Sequence, residues 1–222
     1  MSGTSLDGLD IALCDITGHG PQTELNLRHF KTCPYPAEVS DKLRPVVSAD
    51  QVSLRSVCLL HAWLGRYHAD LIMEALREWQ VEPGQVSCIA SHGQTIYHAP
   101  RIQHREKGMP NATLQIGDGD HIARRTGILT LSDFRQKHVA VGGEGAPLAS
   151  PVDRMLFTDE NEPRILLNIG GIANFSFLPV PDSDHSYVTT DTGPGNTLLN
   201  TACQRLFERE YDQDGTIAAG GT

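Results

Sequence analysis

The sequence predicts an α/β protein in two domains, and three observations carry that expectation. Short apolar runs alternate with segments of helical period. Polar, glycine-bearing loops follow the apolar runs, and a flexible break at Gly142-Gly143-Glu144-Gly145-Ala146-Pro147 divides the series. Alternating strand and helix signals make an α/β sheet, whose ligand groups collect at the carboxyl ends of strands. The boundary places one domain at residues 1–148 and a second at 149–222. The second is short of the ~100 residues of a compact domain, so a C-terminal truncation is expected. The chain also opens directly on a turn with no strand before it, so residues are expected to be missing ahead of Met1.

The elements follow in order. Leu9-Asp10-Ile11-Ala12-Leu13-Cys14-Asp15-Ile16 reads as a strand with partial alternation. Residues 51–80 carry a helical stripe of Leu60, Leu64, Tyr67, Leu71 and Ala75, with Ser48 and Asp50 as candidate caps and Pro83-Gly84 as the stop. Trp63 and Trp79 on this segment read as packing residues. Val86-Ser87-Cys88-Ile89-Ala90 is a short strand that runs into Ser91-His92-Gly93-Gln94-Thr95. Leu114-Gln115-Ile116-Gly117-Asp118 is a strand and turn before a helix, and Ile128-Leu129-Thr130-Leu131 leads into Ser132-Asp133-Phe134-Arg135. In the second domain a helix spans about Ser150 to Leu156. Arg164 to Ile169 and Ile172 to Leu178 form a hairpin around Gly170-Gly171. Val188-Thr189-Thr190 then leads to Asp191-Thr192-Gly193-Pro194-Gly195-Asn196 and a last helix.

Composition narrows the function. The chain has 222 residues, 18 basic against 27 acidic, for a net charge of −9, with 39% hydrophobic and 20% charged residues. That is a folded globular composition. Net acidity argues against nucleic acid as a partner, which needs a basic stripe, but leaves room for one small phosphorylated ligand. No apolar run approaches the ~20 residues of a membrane span, and the start lacks a secretory signal, so a cytoplasmic protein without a membrane partner is expected. Five widely spaced cysteines without C-x-x-C read as reduced, mostly buried thiols. The sequons at Asn111 and Asn174 read as chance.

Familiar catalytic signatures are absent: no G-x-x-x-x-G-K-[ST], no complete G-x-G-x-x-G, no H-E-x-x-H and no G-x-S-x-G. What remains is a set of Gly, Thr, Ser and Asp turns. Gly3-Thr4-Ser5-Leu6-Asp7-Gly8 can wrap backbone amides and two hydroxyls around phosphate oxygens, with Asp7 on a Mg²⁺-bound water or a substrate hydroxyl; the alternative is a simple turn. Asp191 precedes a Gly-Pro-Gly turn that opens a helix, whose N-terminal amides favour an anion, so Asp191 can act as a base there; the alternative is a helix cap. Gly170-Gly171 permits close backbone approach to a ligand or is merely a tight turn. His92, Gln94, Thr95, Asp133 and Arg135 suit a polyol or sugar, with Arg135 suited to a carboxylate; the alternative for Arg135 is an ion pair with Asp133. His121, His138 and His185 read as ordinary polar histidines.

Taken in order, M-S-G-T-S-L-D-G, S-H-G-Q-T, L-Q-I-G-D-G, D-F-R, G-G-x-G-A-P-L, L-N-I-G-G-I-A-N and D-T-G-P-G-N closely resemble the 1,6-anhydro-N-acetylmuramic acid kinases, over nearly the whole chain. The resemblance implies a two-domain actin-like ATPase (ribonuclease H-like) fold of the hexokinase/Hsp70/actin superfamily, its second domain truncated here. It implies an ATP- and Mg²⁺-dependent kinase of peptidoglycan recycling, without a resident metal-ligand set, which opens 1,6-anhydro-N-acetylmuramate with water and yields N-acetylmuramate 6-phosphate. A homodimer is the expected assembly. Carried over, Asp191 is the catalytic base, and Gly3, Thr4, Ser5, Leu6, Asp7, Gly8, Leu9 and Asp10 form the ATP-phosphate loop. Gly170, Gly171, Gly193, Gly195 and Asn196 are also assigned to ATP, and Ser2, Asp7, His92, Gln94, Thr95, Asp133 and Arg135 to the sugar.

Some positions depart from the family. Its D-F-R-x-x-D has His138 at the second Asp here, G-G-Q-G-A-P-L has Glu144 for Gln, and Gln136 stands where many members carry Arg. The family's adenine-binding Gly-rich motif and a sugar-contacting Glu fall beyond residue 222. These departures motivate one alternative, a non-catalytic ATP-binding module of the same superfamily. A glycoside hydrolase using Asp133 and Asp191 leaves the phosphate-type turns unexplained.

Overall fold

A computed structural model describes residue 2 and residues 6–221. The chain divides into two compact units, Met1–Ala146 and Pro147–Thr222, each described by itself. Both are mixed α/β.

In the first unit, β1 (Gly8–Thr17) and β2 (Glu24–Pro34) form an antiparallel hairpin, with a register shift between Leu13 and Cys14. The short helix α1 (Ala37–Leu43) follows, then α2 (Leu54–Glu78). β3 (Ile89–Ser91) and β4 (Gln94–Ala99) lie on either side of His92-Gly93. After α3 (Arg101–His104), β5 (Ala112–Ile116) pairs antiparallel with β4. Next come α4 (Gly119–Thr126), β6 (Thr130–Ser132), which pairs parallel with β3, and α5 (Phe134–Ala140). Ser2 bridges the two antiparallel pairs, antiparallel to Leu9 and parallel to Gln94.

The core explains α2. Leu64 is fully buried, in a cluster with Leu6, Leu9, Leu43, Ile96 and Ile116, and Leu60, Trp63, Tyr67 and Leu71 pack around it. These positions recur at helical spacing, so one face of α2 is apolar and buried. Trp63 stacks on Tyr67 and Trp79 on His29, as packing residues should. The cap differs from expectation. Ser53, not Ser48 or Asp50, accepts from the Ser56 amide, because the helix starts three residues later than its polar flank suggested. Only Cys33 and Cys203 of the five cysteines are buried; Cys14 is half-buried and Cys58 and Cys88 are exposed. All five are free thiols.

The second unit holds α6 (Ser150–Phe157), then β7 (Arg164–Ile169), β8 (Ile172–Leu178) and β9 (Val188–Pro194) in an antiparallel meander. α7 (Asn196–Phe207) and α8 (Thr216–Ala219) close it. Ser176 donates to Asp153 of α6 at 3.1 Å, and Tyr187 donates to the Ser150 carbonyl at 3.1 Å. These bonds tie α6 to one face of the sheet. Ile165, Leu167 and Ile169 alternate along β7 on the other face and are exposed. No helix among the described residues is long and apolar enough to cross a membrane.

α2 sits directly on the turn between β5 and α4. The Asp118 amide donates to the His61 carbonyl at 3.1 Å, and a Cβ on Gly65 would collide with the Asp118 carbonyl oxygen. Backbone cannot yield as a side-chain tip does. Gly65→Ala is therefore expected to destabilise the protein by about 1–3 kcal/mol, the cost of overpacking. Urea unfolding checks it; an unchanged midpoint would show that the helix and turn are free to separate.

Candidate active site

The cleft of the first unit arises from strand direction. β3 and β6 run parallel with Ser91 opposite Ser132, so both leave their pairing at the same end. His92 follows one strand and Asp133–Arg135 the other. Arg135 Nε donates to His92 Nε2 at 2.8 Å, and its Nη1 donates to the Gly145 carbonyl at 2.6 Å. The expected alternative, an Arg135–Asp133 ion pair, does not form among the described residues. His92 and the glycine loop at Gly145 hold the guanidinium instead, and the loop is held in turn by the Gly145 amide donating to His138 Nδ1 at 3.2 Å.

The hydrogen bonds fix the His92 tautomer. Nε2 accepts from Arg135, so the ring proton sits on Nδ1 and donates to the Gly93 carbonyl at 2.9 Å. Burial pulls the His92 pKa below its ordinary value, and the Arg135 charge adds to this against the opposing Gly93 carbonyl.

Asp133 is exposed and adopts a left-handed backbone, φ 62°, at the start of α5. Its carboxylate makes no capping bond there. Asp tolerates this conformation better than most residues, and such strain concentrates at functional sites. Thr95 faces Gln115 across the β4–β5 pair and accepts from its Nε2 at 3.2 Å, leaving the hydroxyl proton to donate elsewhere. Gln115 Nε2 also donates to Thr113 at 2.7 Å, while its Oε1 is buried without a partner among the described residues.

His92, Gln115 and Asp133 border a cleft of about 300 Å³, lined also by His61, Gly117, Asp118 and Gln136, whereas Arg135 and Thr95 are not among its lining residues. That volume lies at the small end of ligand sites, the scale of one sugar. Sequence reasoning did not single out His61 or Gln115. His61 accepts from the Gly117 amide through Nδ1 at 3.1 Å and lies 3.3 Å from Asp118. It stands beside the α2 stripe without a motif of its own, whereas Gln115 had a signal in L-Q-I-G-D-G.

Two residues expected at the sugar lie elsewhere. Ser2 and Gln94 are 1% and 0% exposed, and Ser2 Oγ donates to Gln94 Oε1 at 2.5 Å. Gln94 faces inward because β4 alternates, which turns it to the core and Thr95 away from it, and Ser2 is buried against Gln94.

Three of the residues expected to cradle phosphate lie in a strand instead. Gly3, Thr4 and Ser5 lie outside the described residues. Leu6 has a left-handed backbone, φ 57°, and a buried side chain, while Asp7 is exposed. Gly8, Leu9 and Asp10 are already in β1, opposite Pro34, Cys33 and Thr32. Asp10 accepts from Thr32 Oγ1 at 2.7 Å. Strand pairing thus takes these three out of the loop.

In the second unit Asp191 is exposed and lies inside β9, not at its end. The strand continues to Pro194, and α7 starts after Gly195 without a side-chain cap. Asp191 is therefore no helix cap. A register shift brings Ala173 opposite Gly193 but Asn174 opposite Asp191, so Thr192 is an extra residue in β9. Such bulges re-aim neighbouring side chains and recur beside active sites.

The first turn of α7 is less open to phosphate than expected. The Gly195 amide donates to the Gly171 carbonyl at 2.9 Å, and the Asn196 amide to the Gly170 carbonyl at 2.7 Å. Asn196 Nδ2 donates to the Ile169 carbonyl at 2.9 Å. The Gly170-Gly171 hairpin turn satisfies helix donors that otherwise lack partners. These four residues thus hold one another, and Gly193, with φ 139°, is the glycine beside Asp191 left without such a bond to the hairpin turn.

The whole chain, residues 1–222, matches the anhydro-N-acetylmuramic acid kinase family. The chain belongs to that family. It is 48% identical over 222 residues to the anhydro-N-acetylmuramic acid kinase of Pseudoalteromonas translucida and 50% identical to that of Pseudoalteromonas atlantica. In both cases all of this chain and 55% of the relative are covered. An anhydro-N-acetylmuramic acid kinase of Bacillus cereus is 39% identical over 221 residues, which take in all of this chain and 57% of that relative. The chain thus spans about half the length of the curated relatives it matches. Among the features of this family member, the Arg135–His92 contact lends itself to a titration.

His92 has a folded pKa below its ordinary 6.5, so the unfolded chain takes up the proton first as pH falls. The stability this gives is complete above pH 6.5 and is lost as pH falls through the folded value. His92→Gln keeps an acceptor for Arg135 but cannot titrate. Its urea midpoint is expected to fall less than the wild-type midpoint from about pH 6.5 to about pH 5. Parallel pH profiles would show that His92 is not held neutral by its surroundings.

Proposed function

We propose that the full-length protein is an ATP-dependent kinase acting on 1,6-anhydro-N-acetylmuramate in peptidoglycan recycling, with the actin-like two-domain fold of its superfamily. The observation that supports this best is a sugar-sized cleft lined by His92 and Asp133, with Arg135 bonded to His92 behind it, within a chain of this family. In this reading residues 1–148 carry the phosphate turn and sugar site, and residues 149–222 begin the domain that carries the base. A cytoplasmic homodimer is part of the same reading.

The roles follow from the chemistry left open at each residue. Arg135 holds the substrate carboxylate with the guanidinium edge not spent on His92 and Gly145. Asp133 and Thr95 meet sugar polar groups as acceptor and donor, and His92 keeps Arg135 in place. Residues 3–7 cradle the triphosphate with backbone amides. Ser2 and Gln94 serve from behind the site rather than in contact with sugar.

Asp191 takes a proton from water as the water oxygen attacks the anomeric carbon. The bond from that carbon to O6 breaks, and the freed O6 attacks the γ-phosphorus as ADP leaves. Mg²⁺ neutralises phosphate charge when bound. In this reading the cation is carried mainly by the phosphates, and exposed Asp7 would hold one of its waters.

The non-catalytic alternative gains nothing from the departures. Gln136 donates to the Thr113 carbonyl at 2.7 Å, and His138 supports Gly145. Gln136 also lines the cleft beside Asp133, His138 serves the loop that holds Arg135, and Glu144 is exposed.

The test is Asp191→Asn in the full-length protein, assayed with ATP, Mg²⁺ and the anhydro sugar for the 6-phosphate. Because Asp191 caps nothing, folding and ATP binding are expected to survive while turnover falls about 100-fold or more. A variant with half the wild-type rate would remove Asp191 as the base. Wild-type release of phosphate without sugar phosphate would reject the kinase reading.

A further inference from the structure

A histidine and a carboxylate meet at the wall of the first unit's cleft, and neither takes part in the proton and phosphate transfers. His61 comes from α2 and Asp118 from the turn between β5 and α4, and both line the cleft. Their side chains are 44% and 29% exposed, so a ligand can reach them.

Hydrogen bonds fix what each one offers. The Gly117 amide donates to His61 Nδ1 at 3.1 Å. Nδ1 is therefore the bare nitrogen, and the ring proton sits on Nε2 as a donor. Asp118 Oδ1 accepts from the amides of Asp120 at 2.7 Å and His121 at 3.1 Å, which caps α4. Oδ2 takes no part in the cap. It lies 3.3 Å from His61 Nε2, longer than the ~2.7–2.9 Å of a good charge-assisted bond, so neither group fully satisfies the other. The backbone holds the two residues together, because the Asp118 amide donates to the His61 carbonyl at 3.1 Å.

Nε2–H and Oδ2 thus stand side by side as one donor and one acceptor. A hydroxyl completes such a pair: its oxygen accepts from the ring and its proton goes to the carboxylate. Other sugar substituents do not. A carboxylate has no proton for Asp118 and repels it. A trans amide carries its N–H and C=O on opposite sides, so it cannot meet both of two atoms 3.3 Å apart. In 1,6-anhydro-N-acetylmuramate, C1 and C6 share the ether bridge, C2 carries the acetamido group and C3 the lactyl ether. The 4-hydroxyl is its one alcohol.

We propose that His61 and Asp118 form a hydroxyl-reading subsite that binds the 4-hydroxyl of the anhydro sugar and sets specificity at that position. The inference rests on the kinase reading, since it needs this sugar in the cleft. The acetamido N–H, the substrate's one other donor, remains for Asp133.

The test compares 1,6-anhydro-N-acetylmuramate with its 4-deoxy analogue in steady-state kinetics of the full-length protein with ATP and Mg²⁺. Wild-type kcat/KM is expected to fall about tenfold or more for the 4-deoxy sugar, the scale of a hydrogen bond to a charged group. His61→Asn keeps an oxygen for the Gly117 amide and loses the Nε2 donor. Asp118→Asn keeps the cap oxygen and loses the Oδ2 acceptor. Each variant is expected to raise KM for the intact sugar about tenfold with kcat within about twofold, as lost uniform binding does. Each should use the 4-deoxy sugar within about twofold of the wild-type efficiency, because the hydroxyl that the lost group would meet is already gone. Equal losses on both sugars would mean a scaffold role and overturn the inference, as would a wild type indifferent to the 4-hydroxyl. Both of those outcomes leave the kinase reading standing, whereas a wild type that phosphorylates neither sugar overturns that reading and the inference with it.

Discussion

Three parallel rungs between β3 and β6 decide where the chemistry of the first unit can be. Parallel neighbours release their chains at the same end, whereas antiparallel neighbours would send residue 92 and residue 133 to opposite ends. The Arg135–His92 bond is the direct consequence. So short a pairing needs support from its surroundings. Gly119 at the start of α4 lies so close to Ser132 that a Cβ there would come within 2.5 Å of the hydroxyl oxygen, and Gly65 brings α2 against the Asp118 backbone. Missing side chains at these two points let two helices close on the strand ends and shape the cleft.

The second unit solves a different problem. Its hairpin turn and the start of α7 satisfy one another, carbonyl to amide, which fixes the turn and uses the amides that first suggest an anion site. What it leaves exposed is Asp191, beside an extra residue in β9 that changes the local register. A carboxylate on a strand is held more rigidly than one on a loop, which suits the proposed role of Asp191 as base.

The sequence was most legible where periodicity and punctuation agreed. β7 and β8 fall on Arg164–Ile169 and Ile172–Leu178, because apolar runs flank a Gly-Gly turn. α2 was legible from its stripe, though its cap was not, since Ser48, Asp50 and Ser53 are equally good cap residues by type. β2 and α1 were not drawn from the sequence; the alternation in Leu25, Asn26, Leu27 and Arg28 is modest, and α1 is barely two turns. In the site, residue types were legible but facing was not. One position separates Gln94 from Thr95, and strand register alone sends the first to the core. Which of the amides at residues 195 and 196 were already spent was equally hidden, because their partners lie about 25 residues earlier in the chain.

The most direct test of the central claim, that the strand-end cleft of the first unit is the sugar site, is an amide chemical-shift titration of the full-length protein with 1,6-anhydro-N-acetylmuramate. The account predicts saturable shifts at residues 91–95, 115–119 and 133–136. Saturable binding that leaves those amides unmoved and shifts another surface would contradict it.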